Sequence, residues 1–279
     1  MVFSVTLDRV SYKYPYSAMP ALRDVSLCVE RGKVLSIMGL NGSGKSTLAQ
    51  IVAGLIQPSS GEIFLNGARI KGKSDLADLR RQVAMLFQNP EDQLFADTVY
   101  SDISFGPKKR GVKGSELHDR IKKASETVGL DIDRIGSRSP FSLSGGEKRK
   151  AALAGLLAIE PEILVLDEPF TGLDFESKKS LLSALKRFLD ENGAGILIVT
   201  HNISEVCEIS DTYCHLSGGK IIGTWDKRVF ASFLKSARTE KVDLSQWGSV
   251  ILRLAEAGRE VKNPLDARSV AKAFIELEN

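Results

Sequence analysis

The chain has no apolar run near the ~18 residues that a helix needs to cross a bilayer. Its longest such run, Ala151 to Ile159, follows Lys148-Arg149-Lys150 and suits a buried helix. Cysteine is scarce: Cys28, Cys207 and Cys214 are an odd number without metal-ligand spacing, which implies buried thiols in a reducing compartment. A net charge of +3 is too small to argue for nucleic acid as a partner, since nucleic-acid binders concentrate basic residues on one face. The opening residues MVFSVTLDRVSYKY lack a basic stretch followed by an apolar one, so no secretory leader is expected. These absences predict a cytoplasmic protein whose membrane role, if any, runs through partners. Its 279 residues, 43% hydrophobic and 26% charged, suffice for one large domain or a core domain with an appendage.

What is present centres on two stretches. Gly39-Leu40-Asn41-Gly42-Ser43-Gly44-Lys45-Ser46-Thr47 follows an apolar strand, Val34 to Met38, and precedes a helix with Leu48, Ile51, Val52 and Leu55 on its apolar face. This matches the phosphate-binding P-loop in sequence and setting. Glycines let backbone N–H groups curl around phosphate oxygens, and the helix start adds partial positive charge. Lys45 would reach the β- and γ-phosphates, and the Ser46 hydroxyl would ligate Mg²⁺. The second stretch, Leu143 to Asp174, joins a glycine-rich helix start, a strand and two adjacent acids. Alone, Ser144 and Glu147 three residues apart describe an ordinary capping box.

Apolar patterning supplies the frame. Strands are expected over residues 3–14, Val25 to Val29, Glu62 to Leu65, Val83 to Phe87, Ile163 to Leu166 and Ile196 to Val199, with a closing hairpin over Asp211 to Leu216 and Lys220 to Thr224. The continuous runs Ile163-Leu164-Val165-Leu166 and Ile196-Leu197-Ile198-Val199 suit strands covered on both faces of a parallel sheet. They end at Asp167-Glu168 and Thr200-His201, where ligands bind in open parallel sheets. Between residues 97 and 158 only helical patterns occur, among them Leu117, Ile121, Ala124 and Val128. The predicted fold is α/β, a P-loop NTPase core with an inserted helical subdomain (about 92–160) and an N-terminal antiparallel β subdomain. After Trp225 the pattern becomes helical again, with Trp247, Val250, Ile251 and Leu254 on one face. Residues 225–279 are therefore expected to form a C-terminal helical extension.

Taken in order, these elements resemble the ATP-binding subunit of ABC transporters across roughly residues 3–224. The resemblance makes Leu143-Ser144-Gly145-Gly146-Glu147 the family signature, Gln88 the centre of the glutamine loop, Asp167-Glu168 the end of the second nucleotide motif, Gly172-Leu173-Asp174 the loop toward a partner subunit, and His201 the switch histidine. Tyr14 matches the aromatic that stacks on adenine, with Tyr12 and Tyr16 as competitors. The wording Phe87-Gln88-Asn89-Pro90-Glu91-Asp92-Gln93-Leu94-Phe95, continuing to Phe105-Gly106-Pro107, resembles the ATPases of energy-coupling factor transporters, which import vitamins and transition-metal ions.

That resemblance implies ATP hydrolysis with Mg²⁺ held by Ser46, Gln88 and Asp167, an all-oxygen set of the kind this ion prefers. Glu168 would polarise the attacking water, and His201 would contact the γ-phosphate or position Glu168. Gly39 to Thr47 would hold one nucleotide. Ser144, Gly145, Gly146 and Glu147 would complete the site of a second ATPase subunit, identical or paralogous, arranged head to tail. A transmembrane coupling subunit, met at Glu91 and Asp92, and a substrate-binding membrane subunit are the further partners implied, placing the chain on the cytoplasmic face of the membrane. The alternative is the ATPase of another ABC importer or exporter class. ABC ATPases acting on DNA carry long heptad coiled coils between P-loop and signature, and no sustained heptads lie between Thr47 and Leu143. Translation-associated relatives carry two ATPase domains, and a second P-loop is absent.

Overall fold

The computed structural model describes residues 2–202 and 205–227. The helices expected around Trp247 and after Asn263 lie outside the described residues.

Two sheets organise the chain. Strands β1 (Ser4–Tyr12), β2 (Leu22–Glu30), β4 (Ser60–Leu65) and β5 (Ala68–Arg69) form an antiparallel sheet in the order β2-β1-β4-β5. In β2 the buried Val25, Leu27 and Val29 alternate with the exposed Asp24, Ser26 and Cys28, the period-two pattern of a sheet with one face covered. The second sheet has the order β10-β9-β3-β8-β7-β6, built from β3 (Val34–Met38), β6 (Val83–Leu86), β7 (Ile163–Asp167), β8 (Gly195–Thr200), β9 (Thr212–Ser217) and β10 (Lys220–Asp226). Only the β9–β10 hairpin pairs antiparallel here; the other neighbours run parallel. Every residue of β7 and β8 is buried, as expected where both faces are covered.

Helix α1 (Lys45–Val52) follows β3, and α2 (Lys73–Gln82) precedes β6. Between β6 and β7 come α3 (Val99–Lys109), α4 (Gly114–Thr127), α5 (Ile132–Ile135) and α6 (Gly145–Leu157), with no strand among them. Leu117, Ile121 and Ala124 are buried along α4, and Val128 is buried at its C-terminal cap. Helix α7 (Phe175–Asn192) joins β7 to β8. Two expectations fail: Cys28, expected as a buried thiol, lies on the exposed face of β2, and α1 does not bury Leu55. Leu55 is exposed, because α1 stops at Val52 and Gly54 turns the chain at φ +68.

Two hydrophobic clusters share the parallel sheet as a wall. One gathers Ile37, Val165 and Val199 with α1 and the antiparallel sheet, including Val5, Leu7 and Leu27. The other gathers Leu86, Leu164, Leu166 and Ile198 with Ile103, Ile121, Leu153 and Leu185.

Parallel pairing in register brings the functional strand ends to one edge. Met38 lies opposite Thr200, Asp167 opposite Val199, and Leu86 opposite Leu166. The P-loop, His201, Glu168 and Gln88 therefore emerge side by side, although they are far apart in sequence.

Candidate nucleotide site

Tyr14, Ala21, Asn41, Gly42, Gly44, Lys45, Ser46, Thr47, Gln88 and Glu168 line one open cleft of about 880 Å³. Its floor is the P-loop, whose shape requires glycine at two positions. A Cβ on Gly39 would stand 2.3 Å from the Leu216 carbonyl oxygen, and Gly44 adopts φ +105 with its Cβ position 2.4 Å from the Ala21 carbonyl oxygen. Lys45 is buried, and its ammonium donates to the carbonyls of Gly39 (2.8 Å) and Leu40 (3.0 Å). Burial pushes the Lys45 pKa down, while the Glu168 and Asp167 carboxylates oppose that shift.

The two acids differ. Asp167 is 4% exposed and its Oδ1 has no hydrogen-bond partner. Burial raises its pKa, and the Ser46 hydroxyl opposes the rise. A buried acceptor without a donor, beside the Ser46 hydroxyl and at the same sheet edge as the exposed Gln88, is a donor set whose oxygen chemistry fits a hard divalent cation. Glu168 faces elsewhere: its Oε1 lies 3.9 Å from Lys45 Nζ, and its Oε2 meets His201 Nδ1 at 2.8 Å. The Thr171 hydroxyl donates to the same Oε2 at 3.4 Å. His201 thus stands in direct contact with the Glu168 carboxylate.

Of the three tyrosines, Tyr14 borders the P-loop. Its hydroxyl is 3.0 Å from Thr47 Oγ1, and Tyr12 stacks edge-on against its ring. Tyr16 sits at φ +64 and points into solvent. Ser43 Oγ is buried and unpartnered beneath the loop.

The signature residues do not line this cleft. Ser144 caps α6: its Oγ accepts from the Glu147 N–H (3.3 Å), and Glu147 Oε2 accepts from the Ser144 N–H (3.0 Å) and hydroxyl (2.9 Å). Those bonds hold the Glu147 carboxyl below its usual range. The capping box is therefore real. It does not account for Gly145 and Gly146, where a Cβ would meet nothing within 4 Å and φ is not positive. Asp174 caps α7 by accepting from the Ser177 N–H at 2.8 Å.

Sequence reasoning missed the residues that hold these loops. The Gln93 side chain accepts from the Phe87 N–H (3.0 Å) and donates to the Met85 carbonyl (3.1 Å), pinning the loop that carries Gln88. Arg149, read earlier only as part of a basic run, donates to the carbonyls of Pro169 (2.9 Å) and Thr171 (2.8 Å). Backbone acceptors leave no trace in residue spacing, so no sequence signal could have found it.

Known proteins resemble this chain in sequence and in fold. Residues 22–171 match the family model described as ABC transporter. The chain is 39% identical over 278 residues to the energy-coupling factor transporter ATP-binding protein EcfA2 of Caldanaerobacter subterraneus subsp. tengcongensis, covering 96% of this chain and 94% of that protein. Among solved structures, CbiO1 from Clostridium perfringens, described as part of the ABC transporter complex CbiONQ, superimposes with TM-score 0.75 at 31% identity, covering 85% of this chain and 96% of that one. A dimeric ATP-binding cassette in a post-hydrolysis state with ADP and Pi gives TM-score 0.73 at 26% identity over 80% of this chain and 99% of the other.

Proposed function

The chain belongs to the ABC transporter ATPase family, in its energy-coupling factor branch, and on that premise we propose that it hydrolyses ATP to drive uptake of a vitamin or a transition-metal ion. The observation that carries the reading is the shared edge where the P-loop, Gln88, Asp167-Glu168 and His201 meet, together with a capped, glycine-opened helix start outside it. The P-loop N–H groups and Lys45 bind the phosphates of ATP. Glu168, oriented by Thr171 and His201, takes the proton of the attacking water. Ser46, Asp167 and Gln88 would hold Mg²⁺, which when bound neutralises charge on the β- and γ-phosphates.

Ser144 to Gly146 serve a second ATPase subunit's nucleotide. Two facts support this: α6 begins at Gly145-Gly146, where first-turn N–H groups lack partners within the helix, and those glycines leave the approach clear. Hydrolysis then requires a head-to-tail pair around two ATP.

Tyr14 is the adenine contact. Tyr14→Ala should weaken ATP binding roughly 5- to 100-fold, the range for one base–aromatic stack. Tyr14→Phe should stay near wild type, and Tyr16→Ala should change binding less than about twofold. Nucleotide titrations followed by fluorescence would check the order, and a larger loss from Tyr16→Ala would transfer the role to that residue.

The membrane partners dock beside Gln88. Phe95 and Phe105 pack edge-to-face with centroids 4.8 Å apart, both exposed, and Lys109 lies over the Phe105 ring. An exposed aromatic pair next to the acidic turn Pro90–Gln93 suits an amphipathic helix of a transmembrane coupling subunit on the cytoplasmic face. The double change Glu91→Lys/Asp92→Lys should weaken co-purification with that subunit while ATP binding persists; unaltered co-purification would remove the contact. Recovery of the intact complex with a small membrane scaffold and an interchangeable substrate-binding membrane protein supports the energy-coupling factor reading. Recovery with a soluble substrate-binding protein would instead favour another importer class. Among the described residues no helix is long and apolar enough to cross a membrane.

A further inference from the structure

Glu168 holds a backbone conformation, φ +49, that a residue with a side chain keeps only when its surroundings fix it. Its own strand and turn supply part of that constraint. The Glu168 N–H donates to the Val199 carbonyl (2.9 Å), and the Thr171 N–H donates back to the Glu168 carbonyl (3.2 Å). The rest arrives from another element. Arg149 reaches out of α6 and donates from one nitrogen to the carbonyls of Pro169 and Thr171, the next residue after Glu168 and the one whose hydroxyl meets its carboxylate.

Arg149 lies little more than one helical turn beyond the Ser144 cap, so it moves with the start of α6. Apolar packing joins the same elements, since Leu153 of α6, Phe170 and Leu173 of the turn, and Leu181 of α7 belong to one cluster. Between α6 and α7 the chain leaves a crevice of about 380 Å³ lined by Gly146, Leu153, Leu173 and Leu181. A displacement at Ser144–Gly146 reaches the turn after Glu168 through this packing and, at two named carbonyls, through the guanidinium of Arg149. The planar, multiply donating guanidinium suits two divergent carbonyls in a way a lysine ammonium matches only in part.

We propose that Arg149 is a positioning residue, transmitting occupancy of the signature by one ATP to the alignment of Glu168 at the other. The proposal rests on the head-to-tail reading given above. In the full chain, Arg149→Ala should lower kcat at least ~10-fold while KM for ATP changes less than ~3-fold, a split expected when an interaction matters in the transition state and not in binding. The Hill coefficient for ATP should fall toward one, and Arg149→Lys should restore part of kcat. In a Glu168→Gln background, Arg149→Ala should still give an ATP-dependent dimer, because the P-loop and Ser144 are untouched. If kcat and Hill coefficient stay within about twofold of wild type while Ser144→Arg abolishes hydrolysis, the coupling role is overturned and the head-to-tail site stands. Full hydrolysis by Ser144→Arg would overturn the head-to-tail reading itself. Parallel loss of thermal stability and dimer formation in Arg149→Ala, unrelieved in Arg149→Lys, would reduce Arg149 to a structural support and sink the proposal.

Discussion

Glu168→Gln is expected to cut steady-state ATP turnover by roughly 10²–10⁴-fold, the usual contribution of a positioned general base. The substitution is nearly isosteric, and an amide oxygen at the Oε2 position can accept from both the Thr171 hydroxyl and His201 Nδ1, so the turn and its φ +49 residue should survive. What is lost is the carboxylate that receives a proton. ATP should still bind, and the unhydrolysed nucleotide should hold two chains together, giving an ATP-dependent dimer by size-exclusion chromatography. Phosphate release within about tenfold of wild type would show that another group receives the proton.

Lys45→Ala should weaken ATP binding about 10- to 100-fold, since a charge-assisted hydrogen bond contributes about 1.5–3 kcal/mol. The ammonium now rests on the Gly39 and Leu40 carbonyls, so binding trades those two bonds for phosphate oxygens. The fold should tolerate the change: Lys45 itself lines the open cleft, so water can enter the space its side chain leaves. Calorimetric titration with ATP is the direct measurement, and an unaltered ATPase rate would contradict the phosphate role of Lys45.

The nucleotide edge was legible in the sequence because its chemistry restricts residue types at fixed spacing. Gly39 and Gly44 could not carry side chains against Leu216 and Ala21, and the apolar runs before Asp167 and Thr200 announce strands buried on both faces. Periodicity failed at Leu55, because α1 ends at Val52 and Gly54, at φ +68 and close against Leu79, turns the chain away. Three tyrosines within five residues offered no basis for choosing among them until backbone geometry turned Tyr16 outward. Gln93 and Arg149 stayed invisible because their partners are main-chain atoms, the same at every position of every sequence.

The two hydrophobic clusters that share the parallel sheet carry a thermodynamic consequence. Residues of the helical insertion, such as Ile103, Ile121 and Leu153, lie in one continuous core with Leu164 and Ile198 of the central strands. The insertion is thus a unit of topology and not a unit of folding, because excising it would uncover the part of the sheet face that Ile103, Ile121 and Leu153 cover beside α7. Loss of its helices and loss of the nucleotide edge should belong to a single cooperative event, while any tilt of the helices during the ATP cycle is an elastic strain within one packed body.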